Sequence, residues 1–180
     1  MLFLLVASWY LRMGAAESMM EEELIENGII AQDEAQAQSI WHLREGVTEA
    51  LGRAGAVYKY DLSMPVSTMY TLVEDMRVRL GDKGHVVGYG HLGDGNLHLN
   101  ISCPTYTPEV EAMIEPFVYE WTSEQRGSIS AEHGIGSMKA ECLAYSKSKP
   151  AIDLMKQIKK SMDPNGIMNP YKVLPQSSDP

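Results

Sequence analysis

The chain has 180 residues, of which 44% are hydrophobic and 22% are charged, and its formal net charge is −9. A chain of this length can bury one sizeable core, so the composition predicts one globular domain. The acidic balance argues against nucleic-acid binding, since no basic stripe with interleaved aromatic side chains offsets it. Cys103 and Cys142 have neither metal-binding nor redox spacing, so we expect free thiols in a reducing compartment.

The amino-terminal residues have an atypical pattern. The apolar run over residues 1–11 is too short to cross a bilayer, and no basic residues precede it. We expect a buried strand or a junction there rather than a targeting signal, and no transmembrane segment elsewhere. A helix is predicted from Glu21 to Asn27, with Gly28 as its stop.

The next segments predict a helix, a strand and a second helix. Asp33 is expected to cap a helix that ends near Arg53. Tyr58 to Ser63 alternates like a strand, and Pro65 fits the first turn of a helix that ends at Gly81. Apolar residues at helical spacing predict the buried face of that helix: Met69, Leu72, Val73, Met76 and Leu80.

The second half of the chain predicts a hairpin followed by helices. The hairpin extends from His85 to Ser102, and Glu109 to Arg126 reads as an amphipathic helix that tolerates Pro116 only near its start or as a kink. Further helices are predicted over Ser137 to Tyr145 and Pro150 to Met162, the latter followed by a turn. This order favours an α+β fold of two layers, with helices on one face of a mostly antiparallel sheet.

The most informative segment contains two histidines on either side of a glycine-rich turn. Asp94-Gly95 is a strong signal for a two-residue hairpin turn. Folding about it opposes His91 to His98 and places both imidazoles on one face, with Cβ atoms about 5 Å apart. The two-residue period of a strand puts Asn96 and Asn100 on that same face.

A zinc-type ion held by two imidazoles needs a further protein ligand. Glu132 is the best candidate, because it follows a β-like run from Gly127 to Ser130 and lies among glycines that permit close approach of a ligand. A carboxylate beside His133 could supply a ligand and a general base together. Half-buried polar histidines and an ordinary surface turn explain the same pattern, so spacing alone leaves metal binding open.

Resemblance to a known family is carried by three separated segments, residues 88–100, 130–139 and 163–172. They resemble the carboxy-terminal region of the FAD-linked oxidase family, the vanillyl-alcohol-oxidase type of flavoprotein. Residues 43–51 and 58–65 resemble the branch of this family that oxidises hydroxyglutarate. The resemblance implies a ferredoxin-like carboxy-terminal domain.

By the same resemblance, the domain covers residues 21–175, after an atypical segment over residues 1–20 and before a tail over residues 176–180. The tail is rich in proline and serine, and we expect it to be disordered.

The resemblance also implies a metal centre and a catalytic base. His91, His98 and Glu132 match the family's metal ligands, and His133 matches the base. Imidazole and carboxylate ligands favour zinc as the divalent metal, although cobalt, manganese or iron would also suit them.

Substrate-binding residues follow from the same resemblance. Arg44, Thr48 and Lys59 match residues that hold the substrate's carboxylates, and Asn100 matches a substrate-contacting asparagine. Arg44 and Thr48 project from one face of a predicted helix, and Lys59 faces away from the neighbouring tyrosines. A guanidinium with an ammonium suits a dianionic acid, although without the family an ordinary solvated charge is the better explanation of Arg44 and of Lys59.

The implied reaction is oxidation of a 2-hydroxy acid, most closely D-2-hydroxyglutarate to 2-oxoglutarate, with hydride passing to FAD. The family binds FAD chiefly through an amino-terminal domain, so we expect this chain to begin after it, as a truncated product, a splice form or a gene-model fragment. The isolated chain is then expected to be inactive unless an FAD domain is joined to it or added. Asn169 matches an asparagine near the cofactor. Tyr171 stands where the family usually has glycine, so either the turn or the flavin contact is expected to differ.

Two other functions compete with the dehydrogenase. One is a non-catalytic fragment that binds metal and dicarboxylate, and the other is a metal-dependent hydrolase, which rests only on generic histidine and glutamate chemistry. For the dehydrogenase the electron acceptor stays open, with an electron-transfer flavoprotein as one candidate. A eukaryotic parent is expected in mitochondria, although this chain shows no Arg- and Ser-rich transit peptide.

Overall fold

The computed structural model describes residues 21–22, 29 and 31–176. They fall into two compact units, one up to Arg53 and one from Ala54 onward. Within the described ranges, no helix combines the length and the apolar character needed to cross a membrane. The atypical segment over residues 1–20, most of the helix expected from Glu21 to Asn27, and nearly all of the tail lie outside the described residues.

The first unit contains one long helix, α1, over Glu34–Ala54. Asp33 caps it as predicted, because its Oδ1 accepts a hydrogen bond from the backbone N–H of Gln36 at 2.8 Å. Arg44 and Thr48 lie one turn apart on this helix, which confirms their predicted helical spacing.

The second unit is built on an antiparallel sheet of three strands, in the order β1-β3-β2. The strands are β1 (Ala56–Ser63), β2 (His85–His91) and β3 (Asn96–Cys103). An isolated antiparallel bridge between Ser63 and Ser128 adds the predicted β-like run to the free edge of β1. The order of strands and helices follows the ferredoxin-like β-α-β-β-α-β pattern, and the α+β prediction is confirmed.

Helix α2 (Val66–Leu80) connects β1 to β2 and packs against β2. Pro65 lies at its N-cap, just before the predicted first turn, and Gly81 ends it with a φ of 58°. All of the apolar residues predicted for its inner face are buried, namely Met69, Leu72, Val73, Met76 and Leu80.

Two predicted helices differ in the structure. The expected helix over residues 109–126 is divided into α3 (Pro108–Ile114) and α4 (Phe117–Glu124). Pro116 separates them, since a proline inside a helix removes a hydrogen bond and clashes with the preceding turn. The helix predicted over residues 137–145 is wrong: only Ala140–Tyr145 is helical, and it is a 3₁₀ helix that buries residues three apart. Helix α5 (Lys149–Met162) confirms the last predicted helix.

Alternation along the strands divides the sheet into a core face and a polar face. The core face carries fully or nearly fully buried side chains that pack with the inner face of α2: Tyr58, Tyr60, Leu62, Leu97, Leu99 and Ile101. The intervening residues of the same strands are polar and lie on the opposite face. The sheet therefore carries a set of polar side chains, several of them buried, on the face opposite α2.

Candidate metal and substrate site

The hairpin that carries the two histidines closes through a loop of residues 92–95. A 3₁₀ turn over Leu92–Asp94 is followed by Gly95 at a φ of 71°. A Cβ atom on Gly95 would lie 2.5 Å from the carbonyl oxygen of Met64, so the backbone comes too close for any other residue. The turn thus depends on glycine, although it is longer than the predicted two-residue turn.

The longer loop changes the register of the hairpin. Tyr89 lies opposite His98, and His91 lies opposite Asn96. The predicted pairing of His91 with His98 is therefore wrong by two residues. A shift of two residues keeps every side chain on its own face, whereas a shift of one would reverse the faces.

Both histidines consequently remain on the polar face, with their ring centroids 5.5 Å apart. Asn96 and Asn100 lie on this face as predicted. Strand β1 adds two residues to it, since Asp61 lies opposite His98 and Lys59 lies opposite Asn100.

Glu132 reaches both histidines from an irregular segment that follows the bridge at Ser128. Its Oε1 lies 3.3 Å from Nε2 of His91, and its Oε2 lies 3.8 Å from Nε2 of His98. In a tetrahedral site with metal–ligand bonds of about 2.1 Å, two ligand atoms are separated by roughly 3.4 Å. The donor types and the two distances from Glu132 are therefore compatible with a divalent cation beside this carboxylate.

His133 lies beside this group. Its ring is nearly parallel to that of His98, with centroids 5.7 Å apart and an interplanar angle of 14°. Ligand-type atoms of Asp61, His98, Glu132 and His133 all lie within 4.8 Å of one another. Burial lowers the pKa of His98 more than the neighbouring carboxylates raise it, which favours the neutral imidazole that binds metals.

Asp61 is a site residue that the sequence prediction did not include. It is 1% exposed, and its Oδ2 accepts hydrogen bonds from the backbone N–H groups of Glu132 and His133, each at 2.7 Å. Its Oδ1 accepts a bond from the Asn96 amide at 2.8 Å. Burial raises the pKa of Asp61, but the two backbone bonds and the Asn96 bond together outweigh it and lower the pKa.

Tyr89 is a second residue that the prediction did not include. Its hydroxyl accepts a hydrogen bond from the side-chain amide of Asn100 at 2.7 Å, which fixes the orientation of that buried asparagine. The two-residue period of a strand could have predicted both residues. Tyr89 lies two residues before His91, and Asp61 lies two residues after Lys59, so each shares a face with a residue that was predicted.

The predicted carboxylate-binding residues lie in both units. Lys59 is exposed on the polar face, whereas Tyr58 and Tyr60 are buried on the core face, which confirms its predicted direction. Arg44 and Thr48 belong to α1 in the first unit. For all three residues, binding of substrate stays a prediction.

The loop after α5 begins with the predicted turn at Asp163. The carboxylate of Asp163 accepts hydrogen bonds from the backbone N–H groups of Ile167 at 3.1 Å and Met168 at 3.0 Å. Nζ of Lys159 donates to the same carboxylate at 2.5 Å. The bond from Lys159, followed by that from the Met168 amide, lowers the pKa of Asp163.

Asn169 and Tyr171 lie farther along this loop, and both are exposed. Asn169 has a φ of 45°, and Tyr171 has a φ of 63°. The backbone at Tyr171 therefore keeps the left-handed conformation that a glycine would adopt easily. The N–H of Val173 donates to the carbonyl oxygen of Gly136 at 2.7 Å, which ties the end of the loop to the segment that carries Glu132.

Comparison with known proteins agrees with this architecture. The model of a family described as "FAD linked oxidases, C-terminal domain" matches residues 7–173. A rice protein named probable D-2-hydroxyglutarate dehydrogenase, mitochondrial, is 64% identical over 88% of this chain and 28% of its own length. Proteins named D-2-hydroxyglutarate dehydrogenase, mitochondrial, are 62% identical in Arabidopsis thaliana and 54% identical in Rattus norvegicus, each over 88% of this chain.

These relatives extend well beyond the matched region. The chain spans 28% of the Arabidopsis protein and 30% of the rat protein, so it corresponds to less than a third of each. The match covers both the hairpin with the two histidines and the segment with Glu132 and His133. The chain therefore belongs to the FAD-linked oxidase family, over the region of its C-terminal domain.

Proposed function

We propose that this chain is the substrate- and metal-binding part of a flavin-dependent 2-hydroxy acid dehydrogenase. The proposed reaction oxidises D-2-hydroxyglutarate to 2-oxoglutarate, with FAD as the hydride acceptor. The observation that carries the proposal is the position of the Glu132 carboxylate, 3.3 Å and 3.8 Å from two imidazoles that one hairpin holds on one face.

His91, His98 and Glu132 would hold the divalent metal, with zinc as the first choice for this set of ligands. When bound, such a cation acts as a Lewis acid toward the hydroxyl and the adjacent carboxylate of a 2-hydroxy acid. The hairpin fixes His91 and His98 on rigid strands, and the chain brings Glu132 to them from a separate segment. Three ligands leave further coordination positions for substrate.

Lys59 and Asn100 would bind the substrate from the same polar face. They lie opposite each other on β1 and β3, next to the pair formed by Asp61 and His98. The Lys59 ammonium can pair with a carboxylate, while Asn100, oriented by Tyr89, can donate or accept a hydrogen bond. We also propose Arg44 and Thr48, on α1, as substrate-binding residues because of their match to the family.

His133 would take the proton from the substrate's hydroxyl as the hydride leaves the adjacent carbon. Imidazole suits this task because histidine is the side chain that enzymes use most often as a general base. Its ring lies beside that of His98, next to the residues that would hold the metal. We propose His133 as the base rather than as a further ligand because of its match to the family's base.

The hydride would pass to FAD, and we propose that Asn169 lies near this cofactor because of its match to the family. The names of the relatives include mitochondrial, and we propose the same location for this protein. An electron-transfer flavoprotein is the class of electron acceptor that we would test first.

Metal binding can be measured in the purified chain, and turnover after the FAD-binding amino-terminal domain of a relative has been added to it. The mixture is assayed with zinc, FAD, D-2-hydroxyglutarate and a dye that accepts electrons, beside the variants His133→Asn and His85→Asn. His85 is an exposed histidine at the other end of β2, roughly 20 Å from His91 at the rise of a strand, and serves as the control. We expect turnover that His133→Asn removes without loss of metal and that His85→Asn leaves unchanged.

The alternative function predicts a different combination of results. A fragment that only binds would take up zinc and D-2-hydroxyglutarate without any turnover, even with FAD present. A folded chain that binds neither zinc nor D-2-hydroxyglutarate would contradict both functions.

A further inference from the structure

The buried carboxylate of Asp61 lies at the centre of the candidate site without belonging to the proposed set of ligands. It accepts bonds from two consecutive backbone N–H groups through one oxygen and from the Asn96 amide through the other. Its own carbonyl oxygen accepts a bond from the N–H of Ala131 at 3.2 Å. One strand residue thus engages three consecutive backbone N–H groups of the segment that carries the proposed ligand and base.

We propose that Asp61 is a positioning residue that holds Glu132, His133 and His98 in the geometry needed to bind metal and to take a proton. The inference rests on the proposed function for the roles of those three residues. Asp61 would contact neither metal nor substrate, and it would act through the groups that it orients.

The segment from Ala131 to Gly134 has few other constraints. Its four residues are exposed and form neither helix nor strand. Before it, the bridge between Ser63 and Ser128 fixes the chain against the edge of β1. The Asp61 carboxylate then fixes the two residues that carry chemistry, because accepting both N–H groups sets their distance from the sheet. Without the carboxylate, the bond from the Ala131 N–H to the Asp61 carbonyl oxygen would still hold the segment, but Glu132 and His133 would lose their own backbone contacts with the sheet.

Asp61 also faces His98. Its Oδ1 lies 3.8 Å from Nδ1 of His98, while the Glu132 carboxylate lies 3.8 Å from Nε2 on the other side of the same ring. A carboxylate near one ring nitrogen favours the tautomer that carries its proton there, which leaves the other nitrogen free to bind a cation. Asp61 therefore favours binding through Nε2, the atom that faces Glu132.

The same contacts argue against Asp61 as a ligand. Both carboxylate oxygens already accept strong hydrogen bonds, and the side chain is 1% exposed, whereas the side chain of Glu132 is 45% exposed. Binding a cation through Asp61 would compete with the hydrogen bonds that its carboxylate accepts from the two backbone N–H groups. A supporting carboxylate behind a histidine ligand is a frequent arrangement in metal sites.

The test combines zinc affinity with the behaviour of two amides. Zinc affinity is measured by competition with a chromogenic chelator for the purified chain and for Asp61→Asn, Glu132→Gln and Asp82→Asn. Asp82 is an exposed aspartate in the turn after α2 and serves as the matched control. Backbone hydrogen exchange of Glu132 and His133 is followed by NMR in the metal-free chain and in each variant.

We expect Asp61→Asn to weaken zinc binding by about 10- to 100-fold, the usual effect of losing a residue that supports a metal ligand. Exchange should accelerate at Glu132 and His133 while the amides of β3 stay protected. The Asp82→Asn variant should match the unmodified chain in both measurements. Zinc affinity that is unchanged in a folded Asp61→Asn variant would overturn the inference. A loss of affinity equal to that of Glu132→Gln would also overturn it, because Asp61 would then act as a ligand.

A further measurement covers the case in which Asp61→Asn does not fold. Scalar couplings through hydrogen bonds, measured in the unmodified chain, should connect the amide nitrogens of Glu132 and His133 to the carboxylate carbon of Asp61. Absence of both couplings in the folded chain would refute the positioning role. If the unmodified chain binds no zinc, the proposed function fails, whereas the couplings and the exchange rates still decide whether Asp61 holds the segment.

Discussion

Nε2 of His91 lies 3.3 Å from Oε1 of Glu132, although the two residues belong to a strand and to a distant irregular segment. The other oxygen of the same carboxylate faces His98, which the hairpin holds on the same side of the sheet. A divalent cation bound by these imidazole and carboxylate groups would stabilise them together. This relationship links the fold to the proposed chemistry.

Replacement of Gly95 tests the turn that places the two histidines. Gly95→Ala introduces a side chain at a φ of 71°, where the Cβ atom would lie 2.5 Å from the Met64 carbonyl oxygen. The left-handed conformation alone costs about 1–2 kcal/mol for a residue other than glycine, so we expect the free energy of unfolding to fall by at least that amount. Urea denaturation measures the change.

Gly93→Ala is the matched control within the same turn. A Cβ atom there would meet nothing within 4 Å, and its φ lies outside the positive range, so we expect a much smaller change. Equal unfolding free energies for the two variants would show that the turn does not depend on Gly95.

Replacement of Lys59 tests how the substrate's carboxylate is recognised. Lys59→Gln keeps a polar side chain on the polar face and removes the charge. We expect D-2-hydroxyglutarate to bind about tenfold more weakly, since a hydrogen bond to a charged group contributes about 1.5 kcal/mol or more. Isothermal titration calorimetry with zinc-loaded chain measures the affinity.

The control variant for Lys59 is Lys83→Gln, which changes an exposed lysine in the turn after α2. D-2-hydroxybutyrate, which lacks the second carboxylate, serves as the control ligand and should lose less affinity in Lys59→Gln. An equal loss for both acids would assign Lys59 to the carboxylate beside the hydroxyl instead.

Acidification should weaken the loop that begins at Asp163. The pKa of this carboxyl is lowered, first by Lys159 and then by the Met168 amide, so the ionised form stabilises the folded state. That contribution is fully present above the unfolded pKa of about 3.9 and disappears as the pH falls through the lower folded value. Asp163→Asn should therefore be less stable than the unmodified chain at neutral pH and should approach it in acid.

Urea denaturation at several pH values follows the difference between these two proteins. Asp153→Asn, on the same helix, is the control and should show no comparable change with pH. A stability difference for Asp163→Asn that stays constant from neutral pH into acid would contradict the role of the ionised carboxylate.

The left-handed backbone at Tyr171 predicts a stabilising substitution. Tyr171 has a φ of 63°, a conformation that costs about 1–2 kcal/mol for a residue with a Cβ atom. Tyr171→Gly should relieve this cost, less roughly 0.5–1 kcal/mol for the greater freedom of glycine in the unfolded chain. We expect a small rise in the thermal midpoint of unfolding, which differential scanning calorimetry can measure. Tyr171→Ala keeps a Cβ atom in the left-handed conformation, so its thermal midpoint should not rise. Equal thermal midpoints for Tyr171→Gly and Tyr171→Ala would contradict the prediction.

The sequence predicted correctly which side chains share a face of the sheet, but it did not predict which residues of β2 and β3 lie opposite each other. His91, His98, Asn96 and Asn100 share a face because strand parity depends only on counting residues. The register depends on how the loop closes, and Asp94-Gly95 is compatible with a longer loop that begins with a 3₁₀ turn. The direct pairing of the two histidines was therefore wrong, while the shared face was confirmed.

The contacts of Asp61 could not be predicted from a local sequence pattern. Its position on the polar face follows from alternation with Lys59, but its partners Glu132 and His133 come from a segment far along the chain. Such a long-range bond leaves no periodic trace in the sequence. The prediction of an α-helix over residues 137–145 was wrong for a different reason. Apolar residues three apart are buried by a 3₁₀ helix as well as by an α-helix, so their spacing does not distinguish the two.

Metal content of the purified chain tests the proposed centre most directly. Elemental analysis is performed on the unmodified chain and on the variants His91→Ala and His85→Ala after dialysis against zinc and removal of the excess. We predict about one zinc ion per chain in the unmodified protein and in His85→Ala, and a large loss in His91→Ala. Equal zinc content in His91→Ala and His85→Ala, or no zinc in the folded unmodified chain, would contradict the proposed metal centre.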